Sequence, residues 1–349
     1  MTRRFIPHSQ PFIGSEEIEA CNRVLDSRML AKGKLVDEFE KKFATFTGYS
    51  QAVSTTSGTS ALLFLLQSLN IGKGHEVIVP IYACSSIANA VRSVGATPVF
   101  SDSSLYWCST FEDIAKLCTK RTRAIVLVHM YGIDASHDRF DSLDIPIIED
   151  LSHAIGLERR YRSCYELAFT SLNATKCLTT GEGGMALYSV NSKNALDASS
   201  SNQVFFNKFN RMNDLSATIG LSQLNKYNTM LERRRAIARI YLEELHDISL
   251  DINDMRLLFH RDSNDRRSSI FFRFLATING DVPEVIEYFA REHNISLRRG
   301  VDAMESQSRA RFPNAIDLFE STLSIPIYPS LSFRDTRRIA RALKGYFGA

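Results

Sequence analysis

The stretch EVIVPIYACSSIANAVRSVGATPVF, residues 76–100, has the pattern of a strand, a helix and a second strand. Two short apolar runs, Glu76–Pro80 and Thr97–Phe100, predict strands, and the spacing of apolar residues between them predicts a helix over Ile87–Val94. Two more apolar strands are predicted downstream, at Thr122–Val128 and Ile145–Ile148. Short strands that alternate with helices predict an α/β fold with a mostly parallel sheet.

The length of 349 residues exceeds the usual size of a single domain. The pattern changes from about Asn225, which predicts a large domain over residues 1–229 and a small α+β domain over residues 230–349. A Ser/Asn-rich stretch, Asp197–Asn207, is predicted to be a loop. The remaining predicted elements are helices at Ser15–Leu25 (with Ser15 as N-cap), Leu35–Thr45, Ala61–Leu69, Tyr227–Leu245, Val282–His293 and Asp335–Phe347, and a strand at Ser269–Ile278.

Composition argues against several classes of protein. The net charge of +3 lacks the strongly basic character of a nucleic-acid binder, and the longest apolar run, Ala61–Leu66, is too short to cross a bilayer. Residues Met1–Gln10 include two arginines and no apolar core of a secretory signal. Six cysteines without a CxxC pair indicate reduced thiols rather than disulfides or a metal site. We therefore predict a cytoplasmic protein with no membrane or nucleic-acid partner.

The first chemical cluster is Thr55-Thr-Ser-Gly-Thr-Ser60, directly before an apolar helical run. Small residues at a helix start leave backbone N–H groups free to bind a phosphate, and the helix dipole favours the anion. A plain helix N-cap explains this string equally well.

The second cluster is Ile147-Ile-Glu-Asp-Leu-Ser-His153, in which Asp150 closes a predicted strand and His153 follows three residues later. Ligands of parallel sheets bind beyond the carboxyl ends of the strands. A carboxylate there can keep the nitrogen of a pyridine ring protonated and make the ring an electron sink. Taken alone, an acid at a strand end is more often a helix cap or a surface group.

The third cluster, Ser171–Gly184, places Lys176 between an apolar run at Leu167–Phe169 and a glycine-rich turn. A single lysine is usually a solvated surface charge. In this setting, however, desolvation can lower the pKa of the amine, as Schiff-base chemistry requires. The glycines allow the backbone to pass close to a ligand.

The three clusters occur in an order that resembles the DegT/StrS-type aminotransferases, which transfer amino groups to keto sugars on nucleotide carriers. The resemblance runs from about Pro11 to about Leu224 and resumes near the C-terminus. It implies pyridoxal 5′-phosphate (PLP) as cofactor, the aspartate-aminotransferase-like fold (fold type I), and a homodimer with active sites at the interface. The segments that match are Met29–Gly48, Ser57–Thr59, Asp150–Gly156, Lys176 with its TTGEGG tail, Arg211–Gln223 and Phe312–Pro329.

Position by position, Lys176 matches the lysine that holds PLP as a Schiff base, and Asp150 matches the partner of the pyridine nitrogen. His153 matches a glutamine or histidine near the cofactor hydroxyl. Cys84 stands where the family usually has an aromatic residue stacked on the ring. The residues that match the phosphate cradle are Gly58, Thr59, Ser60 and Ser171. The asparagine that reaches the phosphate of the partner subunit corresponds to Asn210 or, alternatively, Asn207.

The resemblance implies transfer of an amino group from an amino acid, L-glutamate, to a keto group of a nucleotide-linked sugar, as in polysaccharide or antibiotic biosynthesis. Alternatives are a PLP-dependent sugar dehydratase, an aminotransferase of a cyclitol or another non-sugar ketone, and a non-catalytic PLP-binding regulator. Some sugar dehydratases of this fold have a histidine in place of the lysine, so Lys176 favours transamination.

Three features outside the clusters also lead to predictions. Arg298 and Arg299 could bind a nucleotide diphosphate or form a solvated or structural pair. The basic run Arg233–Arg235 on a charged helix is predicted to face solvent. Trp107 is predicted to pack locally.

Overall fold

The computed structural model describes residues 4–104, 106–135, 138–157, 166–189, 210–245, 255–257, 270–305 and 308–348. The predicted loop at Asp197–Asn207 lies outside these residues. Within the described ranges, no helix is both long enough and apolar enough to span a bilayer.

A seven-stranded sheet forms the centre of the larger part of the molecule. Its spatial order is β1-β7-β6-β5-β4-β2-β3, with all pairs from β6 to β3 parallel and the pairs of β7 with β1 and β6 antiparallel. The prediction of a mostly parallel sheet is confirmed, although β1, β6 and β7 were not predicted. The strands are β1 (Gln51–Thr55), β2 (Glu76–Pro80), β3 (Thr97–Ser101), β4 (Thr122–Val128), β5 (Ile147–Asp150), β6 (Leu167–Ser171) and β7 (Gly184–Tyr188).

Helices flank this sheet, as expected for parallel strands that are buried on both faces. The third helix buries Leu62, Leu65 and Leu66 completely and packs on β6 and β7. The first helix begins at Ser15, but its N-cap is Gly14, whose N–H donates to the Glu17 carboxylate at 2.8 Å. The helices are α1 (Ser15–Ser27), α2 (Lys34–Thr47), α3 (Gly58–Ser68), α4 (Ser85–Ser93), α5 (Phe111–Ala115), α6 (Asp214–Asn225) and α7 (Tyr227–Glu244), with 3₁₀ turns at Met130–Gly132 and Asp138–Leu143.

The C-terminal part contains a second, antiparallel sheet of four strands in the order β10-β11-β9-β8. The helix predicted to end at His293 is α-helical only to Tyr288 and continues as a π-helical turn. The boundary predicted near residue 230 falls within α7 and stays a prediction. The elements are β8 (Met255–Leu257), β9 (Phe274–Ile278), α8 (Val282–Tyr288), β10 (Arg298–Arg299), α9 (Pro313–Ser321), β11 (Thr322–Ile325) and α10 (Phe333–Phe347).

The basic run on α7 does not face solvent as predicted. Arg234 is buried, and its Nη1 donates to the carbonyl groups of Phe271, Phe272 and Ile327 at 3.0–3.3 Å. These carbonyls belong to the segments that enter β9 and follow β11. A buried guanidinium is tolerated because several acceptors replace its water. Arg234 therefore anchors α7 to the second sheet.

Trp107 also connects the two sheets, contrary to the prediction of local packing. Its side chain is buried, and its indole Nε1–H donates to Thr322 Oγ1 of β11 at 2.9 Å. Nearby, the hydroxyl groups of Tyr82 and Tyr131 are 3.3 Å apart. A Cβ at Gly300 would lie 2.2 Å from the Tyr82 oxygen, so only glycine allows the backbone to approach this closely.

We expect Arg234→Met to lower the free energy of unfolding by about 3 kcal/mol, because buried carbonyl acceptors lose their donors. Arg239→Met is the matched control, since Arg239 is exposed on the same helix; it should change the value by less than about 0.5 kcal/mol. Urea denaturation followed by circular dichroism measures both. Equal effects of the two substitutions would contradict an anchoring role for Arg234.

Candidate active site

The carboxyl edge of the parallel strands brings the predicted site residues together. Asp150, the last residue of β5, is in register with Val128 of β4 and Phe169 of β6. The loop after Pro80 leaves the sheet at the same edge, because β2 is parallel to β4. The expected position of Asp150 at a strand end is thus confirmed.

The Asp150 carboxylate is buried, and its Oδ1 accepts a hydrogen bond from the Ser152 N–H at 2.8 Å. Burial raises the pKa of Asp150, while hydrogen bonds from Ser152 and the charge of Lys176 oppose the rise. A buried acid of this kind is stabilised by a cationic partner. Its environment therefore suits a protonated ring nitrogen.

Lys176 lies in the turn after β6, where its N–H donates to the Asn173 carbonyl at 2.9 Å. The pKa of the Lys176 amine is lowered, mainly by burial. The negative charge of Asp150 opposes this shift, and the nearby charge of Arg273 adds to it. A lowered pKa increases the fraction of neutral amine, which is the form that attacks a carbonyl.

His153 is stacked on the ring of Phe272, with ring centroids 3.9 Å apart and planes 13° from parallel. Its Nδ1 accepts a hydrogen bond from the Tyr131 N–H at 3.3 Å, so the neutral ring carries its proton on Nε2. Burial, together with the charges of Lys176 and Arg273, holds the pKa of His153 well below its usual value. His153 is therefore a neutral donor at this site.

The start of α3 forms a cradle against the ends of β6 and β7. A Cβ at Gly58 would lie 2.8 Å from the Ser171 Cβ, and one at Gly184 would lie 2.3 Å from the Ser57 carbonyl. Glycine at both positions thus lets the helix start approach the strand ends closely. The N–H groups of Gly58 and Thr59 have no hydrogen-bond partner within the described part of the chain. These free donors, at the positive end of the helix dipole, suit a phosphate.

Hydroxyl groups surround this helix start. Ser57 Oγ is the N-cap and accepts from the Ser60 N–H at 3.1 Å, while Ser60 Oγ lies 3.4 Å from Asn210 Oδ1. This contact is within one chain, whereas the sequence predicts that Asn210 reaches the phosphate of the partner subunit. That role stays a prediction, and the alternative, Asn207, lies outside the described residues.

Cys84 is the N-cap of α4, at the carboxyl edge of the sheet, and is exposed. Its Sγ accepts a hydrogen bond from Ser86 Oγ at 3.1 Å. An aromatic ring at the site is supplied by Phe272, whose centroid is 5.3 Å from Lys176 Nζ.

Phe272 and Arg273 were missed by sequence reasoning, as was the role of Tyr131. Phe272 and Arg273 lie far beyond the third cluster along the chain, and all three residues meet the clusters only in the folded protein. Tyr131 has φ of 58°, which is uncommon for a residue with a side chain and is a local sign of a constrained backbone. Phe271, directly before Phe272, likewise has a positive φ, of 47°. Neither backbone angle can be read from the sequence.

The two arginines considered for a diphosphate differ in their surroundings. Arg299 donates to the Phe319 carbonyl at 3.0 Å, and its guanidinium lies 4.8 Å from the Phe319 ring centroid. These contacts favour a structural role for Arg299. Arg298 is exposed.

Comparison with known proteins gives matches over nearly the whole chain. The model of the DegT/DnrJ/EryC1/StrS aminotransferase family matches residues 11–344. The spore coat polysaccharide biosynthesis protein SpsC of Bacillus subtilis is 32% identical, with 97% of this chain and 96% of SpsC covered. GDP-perosamine synthase of Escherichia coli O157:H7 is 28% identical, with 99% of each chain covered.

The fold has close counterparts among solved structures. The aminotransferase from Psychrobacter cryohalolentis superposes with a TM-score of 0.87 at 24% identity, with 99% of each chain covered. The predicted aspartate-aminotransferase-like fold is confirmed. The predictions that the protein is an aminotransferase and that PLP is its cofactor are confirmed as well. Since the family model spans residues 11–344, the chain belongs to the DegT/DnrJ/EryC1/StrS aminotransferase family.

Proposed function

We propose that this aminotransferase moves an amino group from an amino acid, L-glutamate, to a keto group of a nucleotide-linked sugar. The observation that supports the chemistry is the position of the Lys176 amine, whose pKa burial lowers, within electrostatic range of the buried Asp150 carboxylate. The substrate class is supported by the similarity to GDP-perosamine synthase, whose name denotes a product on a nucleotide carrier.

The described residues fit PLP at each of its polar groups. Asp150 would hold the ring nitrogen, the Nε2–H of His153 would donate to the ring hydroxyl, and the start of α3 with Ser171 would hold the phosphate. When bound, PLP supplies an electron sink for the negative charge that develops at the reacting carbon. Lys176 would bind the cofactor and then, as a free amine, move a proton between carbon atoms of the substrate and cofactor.

The experiment that tests this function uses the purified protein with PLP. Reduction with borohydride followed by peptide mapping should place the cofactor on Lys176. L-glutamate should move the visible absorption band of unreduced enzyme to the near ultraviolet, and a nucleotide-linked keto sugar should restore it. Lys176→Ala should show neither the covalent link nor the visible band, because the attacking amine is absent.

Lys42→Ala is a matched control, because Lys42 is exposed on α2 and pairs only with the exposed Glu38 among the described residues. It should behave as the unaltered protein. A covalent link to Lys176 without any response to amino acids would contradict transamination. Cofactor attached elsewhere would refute the assignment of Lys176.

The phosphate cradle gives a separate prediction. Gly58→Ala should weaken PLP binding about 10-fold, because the new methyl group overlaps Ser171 and forces α3 away from the strand ends. Gly345→Ala is the control, since a Cβ at Gly345 meets nothing within 4 Å. Titration of the apoprotein with PLP, followed by tryptophan fluorescence, measures both affinities. Equal affinity of the two variants would exclude the cradle from phosphate binding.

We also propose that the enzyme is a homodimer. Apolar side chains are exposed on α1 and directly after it: Ile18, Leu25, Met29 and Leu30, of which Met29 is 71% exposed. Ile18 and Leu25 are seven residues apart and therefore lie on the same face of the helix. Clustered exposed apolar side chains mark an interaction surface, and a second copy of this chain is the partner that the family resemblance implies.

Leu25→Glu combined with Met29→Glu should convert the dimer to a monomer, because two charges would be buried in the interface. Tyr106→Glu is the control, since Tyr106 is 46% exposed, close to the 50% of Leu25, but lies elsewhere. Light scattering after size-exclusion chromatography gives the mass of each. A double variant that remains dimeric would show that the interface lies on another surface.

The cytoplasmic location stays a proposal. It is supported by the described cysteines, all five of which are free thiols: Cys21, Cys84, Cys108, Cys118 and Cys177.

A further inference from the structure

Arg273 lies beside the candidate active site, on the segment that enters β9. Its guanidinium carbon is 5.8 Å from the centroid of the Phe272 ring, and the Nζ of Lys176 is 5.3 Å from the same centroid. The Phe272 ring is also stacked on His153. The guanidinium and the Lys176 amine are therefore neighbours of one aromatic ring that forms part of the site.

The position of the guanidinium is fixed, but its charge is not neutralised. Nη1 donates to the carbonyl of Arg299 at 3.0 Å, which leaves the other N–H groups of the guanidinium available. Among the described residues, no carboxylate forms an ion pair with Arg273, although the side chain is partly buried. A partly buried cation without a counter-charge favours an anionic ligand.

The charge of Arg273 acts on the chemical groups of the site. It lowers the pKa of Lys176 and of His153, in addition to the larger effect of burial on each. It also opposes the rise in the pKa of Tyr131 that burial causes. An anion bound to the guanidinium would therefore lie within electrostatic range of the Lys176 amine.

We infer that Arg273 binds the α-carboxylate of the amino-acid donor and so positions the donor amine for reaction near Lys176. The inference rests on the proposed function, because it assumes an amino-acid donor. An arginine fork fits a carboxylate in two parallel hydrogen bonds, which fixes orientation as well as position. Arg273 is thus a binding and positioning residue supplied by the second sheet.

The donor carboxylate fits this position better than the diphosphate of the sugar nucleotide. In an amino acid, the α-carboxylate is bonded directly to the carbon atom that bears the amino group. In a nucleotide-linked sugar, at least part of the sugar ring separates the keto carbon from the diphosphate. The Lys176 Nζ and the Arg273 guanidinium carbon lie 5.3 and 5.8 Å from the centroid of the same ring, so the anion with the shorter separation fits Arg273 better.

Three compounds separate the contributions of the donor's groups. L-glutamate carries both the amine and the α-carboxylate, 4-aminobutyrate lacks the α-carboxylate, and glutarate lacks the amine. The holoenzyme is mixed with L-glutamate or 4-aminobutyrate, and the loss of the visible cofactor band gives the rate and half-saturation constant of the first half-reaction. Calorimetric titration with glutarate measures carboxylate binding without any reaction.

Arg273→Gln should raise the half-saturation constant for L-glutamate about 10- to 100-fold, because a charge-assisted pair is lost, and leave 4-aminobutyrate nearly unchanged. Glutarate should bind at least about 10-fold more weakly. Arg273→Lys keeps the charge but not the planar guanidinium, so its half-saturation constant for L-glutamate should fall between those of the unaltered enzyme and Arg273→Gln. Arg291→Gln, which removes an exposed arginine paired with Glu292, should match the unaltered enzyme. Thermal melting identifies any variant that fails to fold, in which case Arg273→Lys decides.

Equal increases in the half-saturation constants for L-glutamate and 4-aminobutyrate would overturn the inference, as would unchanged binding of glutarate. A loss confined to the second half-reaction, with the keto sugar nucleotide, would assign Arg273 to the diphosphate and also overturn it. If glutarate binds through Arg273 but no amino acid converts the cofactor, the carboxylate site stands and the proposed aminotransfer fails.

Discussion

The structure depends on keeping two opposite charges, the Asp150 carboxylate and the Lys176 amine, in a site from which water is largely removed. Burial raises the pKa of the acid and lowers that of the amine, so each group is shifted towards its neutral form. Their mutual attraction opposes both shifts without cancelling them. The free energy of this arrangement improves when a ligand supplies a cation to the carboxylate and a carbonyl carbon to the amine.

The second sheet completes this site through one short segment. Arg234 of α7 donates to the carbonyls of Phe271 and Phe272, which fixes the backbone where it enters β9. That backbone places the Phe272 ring on His153 and directs Arg273 to the same region. The Trp107–Thr322 hydrogen bond joins the sheets at a second point. The buried Arg234 thus helps to determine the position of the Phe272 ring.

The sequence was most informative where the signal is local. Lys176 and Asp150 could be proposed as site residues because a glycine-rich turn and a strand end stand beside them in the chain. The antiparallel strand β7 was missed because the glycine-rich turn predicts a ligand site rather than the strand that follows it. Phe272 and Arg273 could not be predicted, since their relation to Lys176 exists only after the sheets meet. The basic run on α7 was misinterpreted because helical spacing alone does not show which arginine faces a neighbouring sheet.

The acidic pair at the end of β5 shows why residue type alone does not identify a catalytic acid. Successive side chains of a strand point to opposite faces. Glu149 is completely buried, and its carboxylate accepts from the Tyr49 hydroxyl at 2.5 Å and lies 2.8 Å from His129 Nε2. His129 Nδ1 accepts from the Ala135 N–H, so Nε2 of the neutral ring is the donor to Glu149. Both oxygens of Glu149 thus have internal donors, and this carboxylate stabilises the fold. The Asp150 carboxylate accepts a hydrogen bond from the Ser152 N–H and interacts with the charge of Lys176. The one-residue step along β5 therefore separates a structural acid from one that is available to a cofactor.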